Sequence, residues 1–141
     1  MTDPPAAPAP AAAITWLYSD DLAAHAAFYR EVMGLSPVLE QRSEAGGCVL
    51  FRVAEGAFLG LCDLRHRPRG TAGVLVTLVV PELAAAMAGL AARGAAFEGG
   101  VVEGPGHRSA FLRDPAGYLL ELQEFADPRF AAACRPAPDP A

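Results

Sequence analysis

The sequence predicts an α+β protein made of two copies of one unit, a strand, a helix and three strands, packed edge to edge into a curved mixed sheet. Three observations carry this. Residues 12–18 and 74–80 are β-rich runs, and each is followed by a helix start and an apolar stripe of helical period. Each stripe is followed by strand-length segments separated by turn residues. Sliding the chain by 61 residues puts Ile14 on Leu75, Asp21 on Glu82 and Leu22 on Leu83. One such unit cannot cover both faces of its own sheet, whereas two can.

Residues 1–11 are rich in Pro and Ala and are expected to form a disordered tail. The first unit spans 12–63. In its first strand Ile14, Trp16 and Tyr18 share one face, while Thr15 and Leu17 share the other. Ser19-Asp20-Asp21 suits a helix start, because side-chain oxygens there satisfy free N–H groups. The helix is expected over 22–33, with Leu22, Ala26, Tyr29 and Met33 as its stripe and Gly34 as its stop. Strands are expected over 36–41, 47–53 and 57–63, with turns at Gly46-Gly47 and Glu55-Gly56. A polar connector covers 64–72. The second unit spans 73–125. It has Pro81 and Glu82 at its helix start, a stripe of Leu83, Met87 and Leu90, and a strand near 95–102. Residues 126–141 read as a tail from which Phe130 could dock on the body.

Composition narrows the function classes. A chain that is 52% hydrophobic and 19% charged builds a core. A net charge of −5 argues against nucleic acid and anionic membrane as partners, both of which need clustered Lys and Arg. The one basic run, Arg65 to Arg69, reads as a solvated loop. Cys48, Cys62 and Cys134 are odd in number and lack CxxC spacing, which argues against a disulfide framework and for a reducing cytoplasm. The first residues have no basic segment of the secretory type, and no apolar run is long enough to span a bilayer. A cytoplasmic location is therefore expected.

The stretch with the most chemistry is Phe111 to Phe125. It is a strand, a turn at Asp114-Pro115-Ala116-Gly117, and a second strand with Glu121 inside its apolar part. A carboxylate placed there must face water, a cavity, a cation or a partner. Three stretches together, Asp21-Leu22 with 28–35 (FYREVMGL), Glu82-Leu83 through Arg93-Gly94, and 113–122 (RDPAGYLLEL), resemble the vicinal oxygen chelate group of glyoxalases, bleomycin-resistance proteins and extradiol dioxygenases. The resemblance covers about residues 12–125. It implies two βαβββ modules whose strands form a half-open barrel around a pocket, in a homodimer whose modules pair or exchange between chains.

In metal-using members of that group a histidine on the first strand and a glutamate on the last strand of each module bind a divalent ion. Carried over one position at a time, these fall on Ile14, Gly60, Leu75 and Glu121, and only Glu121 can ligate. His25 is expected at the helix surface, His66 in the connector and His107 at the pocket mouth. No metal or other cofactor is expected. What remains is an apolar pocket lined by Trp16, Tyr18 and Thr77 with Glu121 at its base, and with Cys62, His107 and Arg108 as polar contacts. Trp16 and Tyr18 either stack on a flat ligand or fill the barrel. Cys62 reads first as a small buried hydrophobe. The leading expectation is a metal-independent binder of a drug or natural product, of the bleomycin-resistance type and not an enzyme. The alternative is a lyase or oxygenase that uses Glu121 as ligand or base.

Overall fold

The computed structural model describes residues 12–67, 69–72 and 74–133. The expected tails at 1–11 and beyond 133 lie outside the described residues. The order is β1 (Ala13–Tyr18), α1 (Leu22–Ala27), a π-helical continuation (Phe28–Val32), β2 (Ser36–Ser43), β3 (Gly46–Ala54), β4 (Ala57–Cys62), β5 (Leu75–Val79), α2 (Leu83–Ala92), β6 (Phe97–Gly104), β7 (His107–Arg113), β8 (Leu119–Phe125) and α3 (Pro128–Ala133). The α+β class and the doubled unit are those the sequence predicts. Helix α3 lies in a segment that read as tail.

The strands form two four-stranded mixed sheets within the chain. Sheet A has the order β1-β4-β3-β2 and sheet B the order β5-β8-β7-β6. In each, the first strand runs parallel to the last strand of its unit and the rest pair antiparallel. Strands β1 and β5 are therefore each an open edge.

Helix α1 explains how the sheets are arranged. Asp21 caps it, its carboxylate accepting from Ala24 N at 3.0 Å. At Phe28 the hydrogen bonding widens by one residue, with Met33 N donating to Phe28 O at 3.0 Å. The stripe Leu22, Ala26, Tyr29, Met33 is buried. It shares one core with Leu17, Val49, Phe51, Leu59 and Leu61 of sheet A and with Leu112, Tyr118 and Leu120 of sheet B. Each large side chain so enclosed contributes about 1.5–3 kcal/mol. Helix α2 packs on sheet B through Leu83 against Ala110 and Leu122, and its Leu90 also packs against the shared core. Both sheets thus turn their inner faces to the helix layer. By strand alternation their other faces look outward, away from each other. The outward residues include Ile14, Trp16, Leu39, Leu75, Val79 and Val102, all more than a third exposed.

A buried polar hub ties the units together and corrects the reading of His25 as a surface residue. His25 is 1% exposed. Its Nε2 lies 2.6 Å from Asp114 Oδ2, which also accepts from Tyr29 OH at 2.8 Å. Asp114 Oδ1 accepts from the backbone N–H of Ala116 and Tyr118 at 3.0 and 2.9 Å. A carboxylate that only accepts places the hydrogen on Nε2; Nδ1 meets Ser19 Oγ at 3.1 Å. Beside the hub, Tyr118 OH accepts from Tyr18 N and donates to Tyr18 O, at 3.0 and 2.9 Å. The turn that looked like a hairpin device is therefore also the joint between the units. Burial, then the neighbouring Asp114, pushes the Tyr29 hydroxyl well above its usual range.

Candidate functional site

The outward faces of the two sheets carry the expected site residues, and each can be read as a grid. Across sheet A one row is Gln41, Cys48, Cys62, Tyr18, and the next is Leu39, Leu50, Gly60, Trp16. Across sheet B, Phe111, Glu121 and Thr77 form one row, and Val102, Ser109, Gln123 and Val79 the next.

On sheet A the indole of Trp16 lies flat over β4. A Cβ on Gly60 would stand 2.2 Å from Trp16 Cε3, so only glycine leaves room for the ring in this position. Trp16 keeps 40% of its surface exposed, so it neither fills a closed barrel nor is buried in the helix-facing core. On sheet B, Thr77 Oγ1 donates to Glu121 Oε1 at 2.7 Å. Glu121 is 8% exposed, in a row with Phe111. Diagonally across the same face is Ser109, 2% exposed, whose hydroxyl has no hydrogen-bond partner among the described residues. The sequence reading missed Ser109; its signal was the 61-residue repeat, which sets it opposite Cys48.

Four expectations need correction. Within one chain Trp16 and Tyr18 do not share a pocket with Thr77 and Glu121, because the two faces point apart. Arg108 is not on the Glu121 face; it has the same strand parity as the inward Ala110 and pairs with Glu103 at 2.8 Å and Glu124 at 3.8 Å. Cys62 is not a free thiol. It is disulfide-bonded to Cys48, its direct cross-strand partner, with Cα atoms 4.3 Å apart. The cysteine argument for a reducing compartment therefore loses two of its three thiols. His107 does face outward, opposite Phe125, but its ring folds over Gly104 and its Nδ1 lies 3.1 Å from Pro105 O. It is four residues along β7 from Phe111, about 13 Å at strand spacing, and so does not join Glu121.

The positions where metal-using members of the resembled group place ligands stand as follows. Ile14 and Leu75 offer no lone pair, Gly60 has no side chain and lies beneath an indole, and Glu121 is engaged by Thr77. Among the described residues no group of three or more His, Cys, Asp or Glu is arranged to hold a metal ion. Divalent ions need several such donors in fixed geometry, so these residues do not fit one.

Two βαβββ units, each with one four-stranded mixed sheet in the same strand order, define the class of fold. The chain belongs to the Glyoxalase/Bleomycin resistance protein/Dioxygenase superfamily, whose family model matches residues 11–122. Among curated proteins none matches it significantly. Solved structures of the same fold include a glyoxalase/bleomycin resistance protein from Catenulispora acidiphila, at 24% identity and TM-score 0.64, covering 80% of this chain and 96% of that one. TnmS3, an antibiotic binding protein from Streptomyces sp. CB03234, is 24% identical with TM-score 0.65, covering 81% and 94%. A lactoylglutathione lyase from Agrobacterium tumefaciens is 29% identical with TM-score 0.63, covering 83% and 95%.

Proposed function

We propose that the protein binds a small drug-like or natural-product molecule without a metal, as a homodimer. In that dimer the outward face of sheet A from one copy stands against the outward face of sheet B from the other. Trp16 and Tyr18 of one chain and Thr77 and Glu121 of its partner then line one site, and each dimer has two. The observation that carries this reading is the exposed indole of Trp16 lying over Gly60, where a metal-using relative needs a carboxylate. An accessible aromatic on an apolar sheet suits a flat ligand, and a single carboxylate opposite suits a cationic or hydrogen-bond-donating group. The same fold in TnmS3, an antibiotic binding protein, supports a binding role.

Trp16 is the only tryptophan, so its emission reports on this face directly. Titration with aromatic, cationic and peptide antibiotics is expected to change that emission saturably, and sedimentation is expected to show a dimer. A monomer at micromolar concentration with no response across a broad panel would sink the proposal. A second reading is favoured by one observation, a nearly buried carboxylate oriented by a threonine hydroxyl on the ligand side. Such a group can act as a general base. Turnover of a substrate that disappears in Glu121→Gln, in protein shown to be free of metal, would favour the enzyme over the binder.

A further inference from the structure

We infer that Cys48–Cys62 is a thiol–disulfide exchange site set into the outward face of sheet A, opened at Cys48 by a dithiol reductant. Position carries the argument. The two cysteines are directly opposed on β3 and β4, in the same row as Tyr18 and one rung from the row holding Gly60 and Trp16. The two sulfurs differ in access. Cys62 is 2% exposed, while Cys48 is half-buried and lines a surface crevice of 390 Å³ with Gln41, Arg42, Ser43, Gly46 and Leu64. An incoming thiolate therefore reaches Sγ of Cys48 and not Sγ of Cys62.

The bond has little structural work to do. It closes a segment with a sequence separation of 14, which the tight turn at Glu55-Gly56 and the β3–β4 ladder already close. The equivalent positions one unit later are Ser109 and Gln123, paired in the same register without any covalent link.

The exchange balances as follows. One thiolate of the dithiol attacks Cys48 Sγ, the S–S bond breaks, and the electron pair leaves on Cys62 Sγ, which takes a proton. The second thiol of the reductant, losing its proton, attacks the mixed disulfide and releases Cys48 as a thiolate, which is protonated in turn. The reductant ends as a disulfide and the protein as two thiols. Two thiols cannot remain at bonding distance and must separate to about 3.5–4 Å, the spacing of non-bonded contact. Cys62 is enclosed, so Cys48 swings, and the floor beside Tyr18 and Trp16 changes shape. Reoxidation by a peroxide or by a disulfide of higher potential restores it.

The test needs no ligand, so its failure is distinct from failure of the binding proposal. It uses the full chain carrying Cys134→Ser, prepared without reductant, with thiols counted under denaturing conditions. The count is expected to rise from zero to two after brief incubation of the native protein with dithiothreitol, and Trp16 emission is expected to change in step. In Cys62→Ser, glutathione disulfide is expected to modify native Cys48; in Cys48→Ser, Cys62 is expected to stay unmodified until denaturant is added. Two thiols at the outset would overturn the inference. So would a bond that dithiothreitol opens only in denaturant, or a reduction that leaves Trp16 emission unchanged. Should either serine variant fail to fold, the first experiment alone decides.

Discussion

The two units differ most where the repeat sets their outward faces in correspondence. In the first, Trp16 lies across Gly60; in the second, Thr77 donates to Glu121. In the first, Cys48 and Cys62 are covalently joined; in the second, Ser109 and Gln123 stand opposite, and the Ser109 hydroxyl has no partner among the described residues. One backbone plan thus carries an aromatic shelf on one side and a polar cradle on the other. The exchange is concerted: a large side chain on the first strand requires none on the last, and a small one leaves space for a carboxylate. Position pairs, not single residues, distinguish the units.

The sharpest way to break the comparison is to remove what only the second unit has. Asp114 corresponds to Val53, which is apolar. Asp114→Ala strands His25, Tyr29 and two backbone N–H groups, and is expected to cost about 4 kcal/mol, read as a lower urea midpoint. Next is the direct swap. Gly60→Glu drives a side chain into the Trp16 ring and is expected to cost about 3 kcal/mol. Adding Trp16→Thr is expected to recover most of that loss, a non-additivity measured in a double-mutant cycle. Independent effects from the two changes would mean that the pairing is incidental.

A smaller effect concerns Glu121. Glu121→Gln keeps the acceptor for Thr77 and removes the charge, so it is expected to weaken a cationic ligand about tenfold, near 1.4 kcal/mol, with little change in Tm. The smallest concerns pH. Folded Tyr29 holds its proton more tightly than the unfolded chain, where tyrosine ionises near 10.0. Its contribution is complete below that pH and is lost as pH rises beyond it. Between pH 9 and 11 the wild type is expected to lose more Tm than Tyr29→Phe, which costs about 1 kcal/mol at neutral pH.

Much of the fold was legible because it depends on local patterns. The stripe Leu22, Ala26, Tyr29, Met33 and the alternation of Ile14, Trp16 and Tyr18 each follow from the periods of helix and strand. The faces of the site were legible for the same reason. What they face was not. Whether two inner faces share one helix layer is decided by contacts some ninety residues apart, such as His25 with Asp114, and no local period encodes them. His25 carried a signal that went unread: it lies four residues before Tyr29, so both point to the same acceptor. The disulfide was missed because an odd count and absent CxxC spacing do not register two residues opposed across a hairpin. Arg108 is one residue from His107 in sequence, but alternation along the strand turns it to the face opposite Phe111 and Glu121.

The hub also sets an order of events during synthesis. Sheet A and its helix lie wholly within the first half of the chain, yet His25 and Tyr29 receive their acceptor only when residue 114 has emerged. Until then the nascent first unit carries two polar side chains on its core-facing stripe and an uncovered apolar side on its helix. Domains emerge at about 5–20 residues per second, so this interval lasts several seconds. A ribosome stalled before Asp114 would therefore present a half-protein that is sheet-competent, unlatched and adhesive, a natural client for chaperones that shield emerging chains.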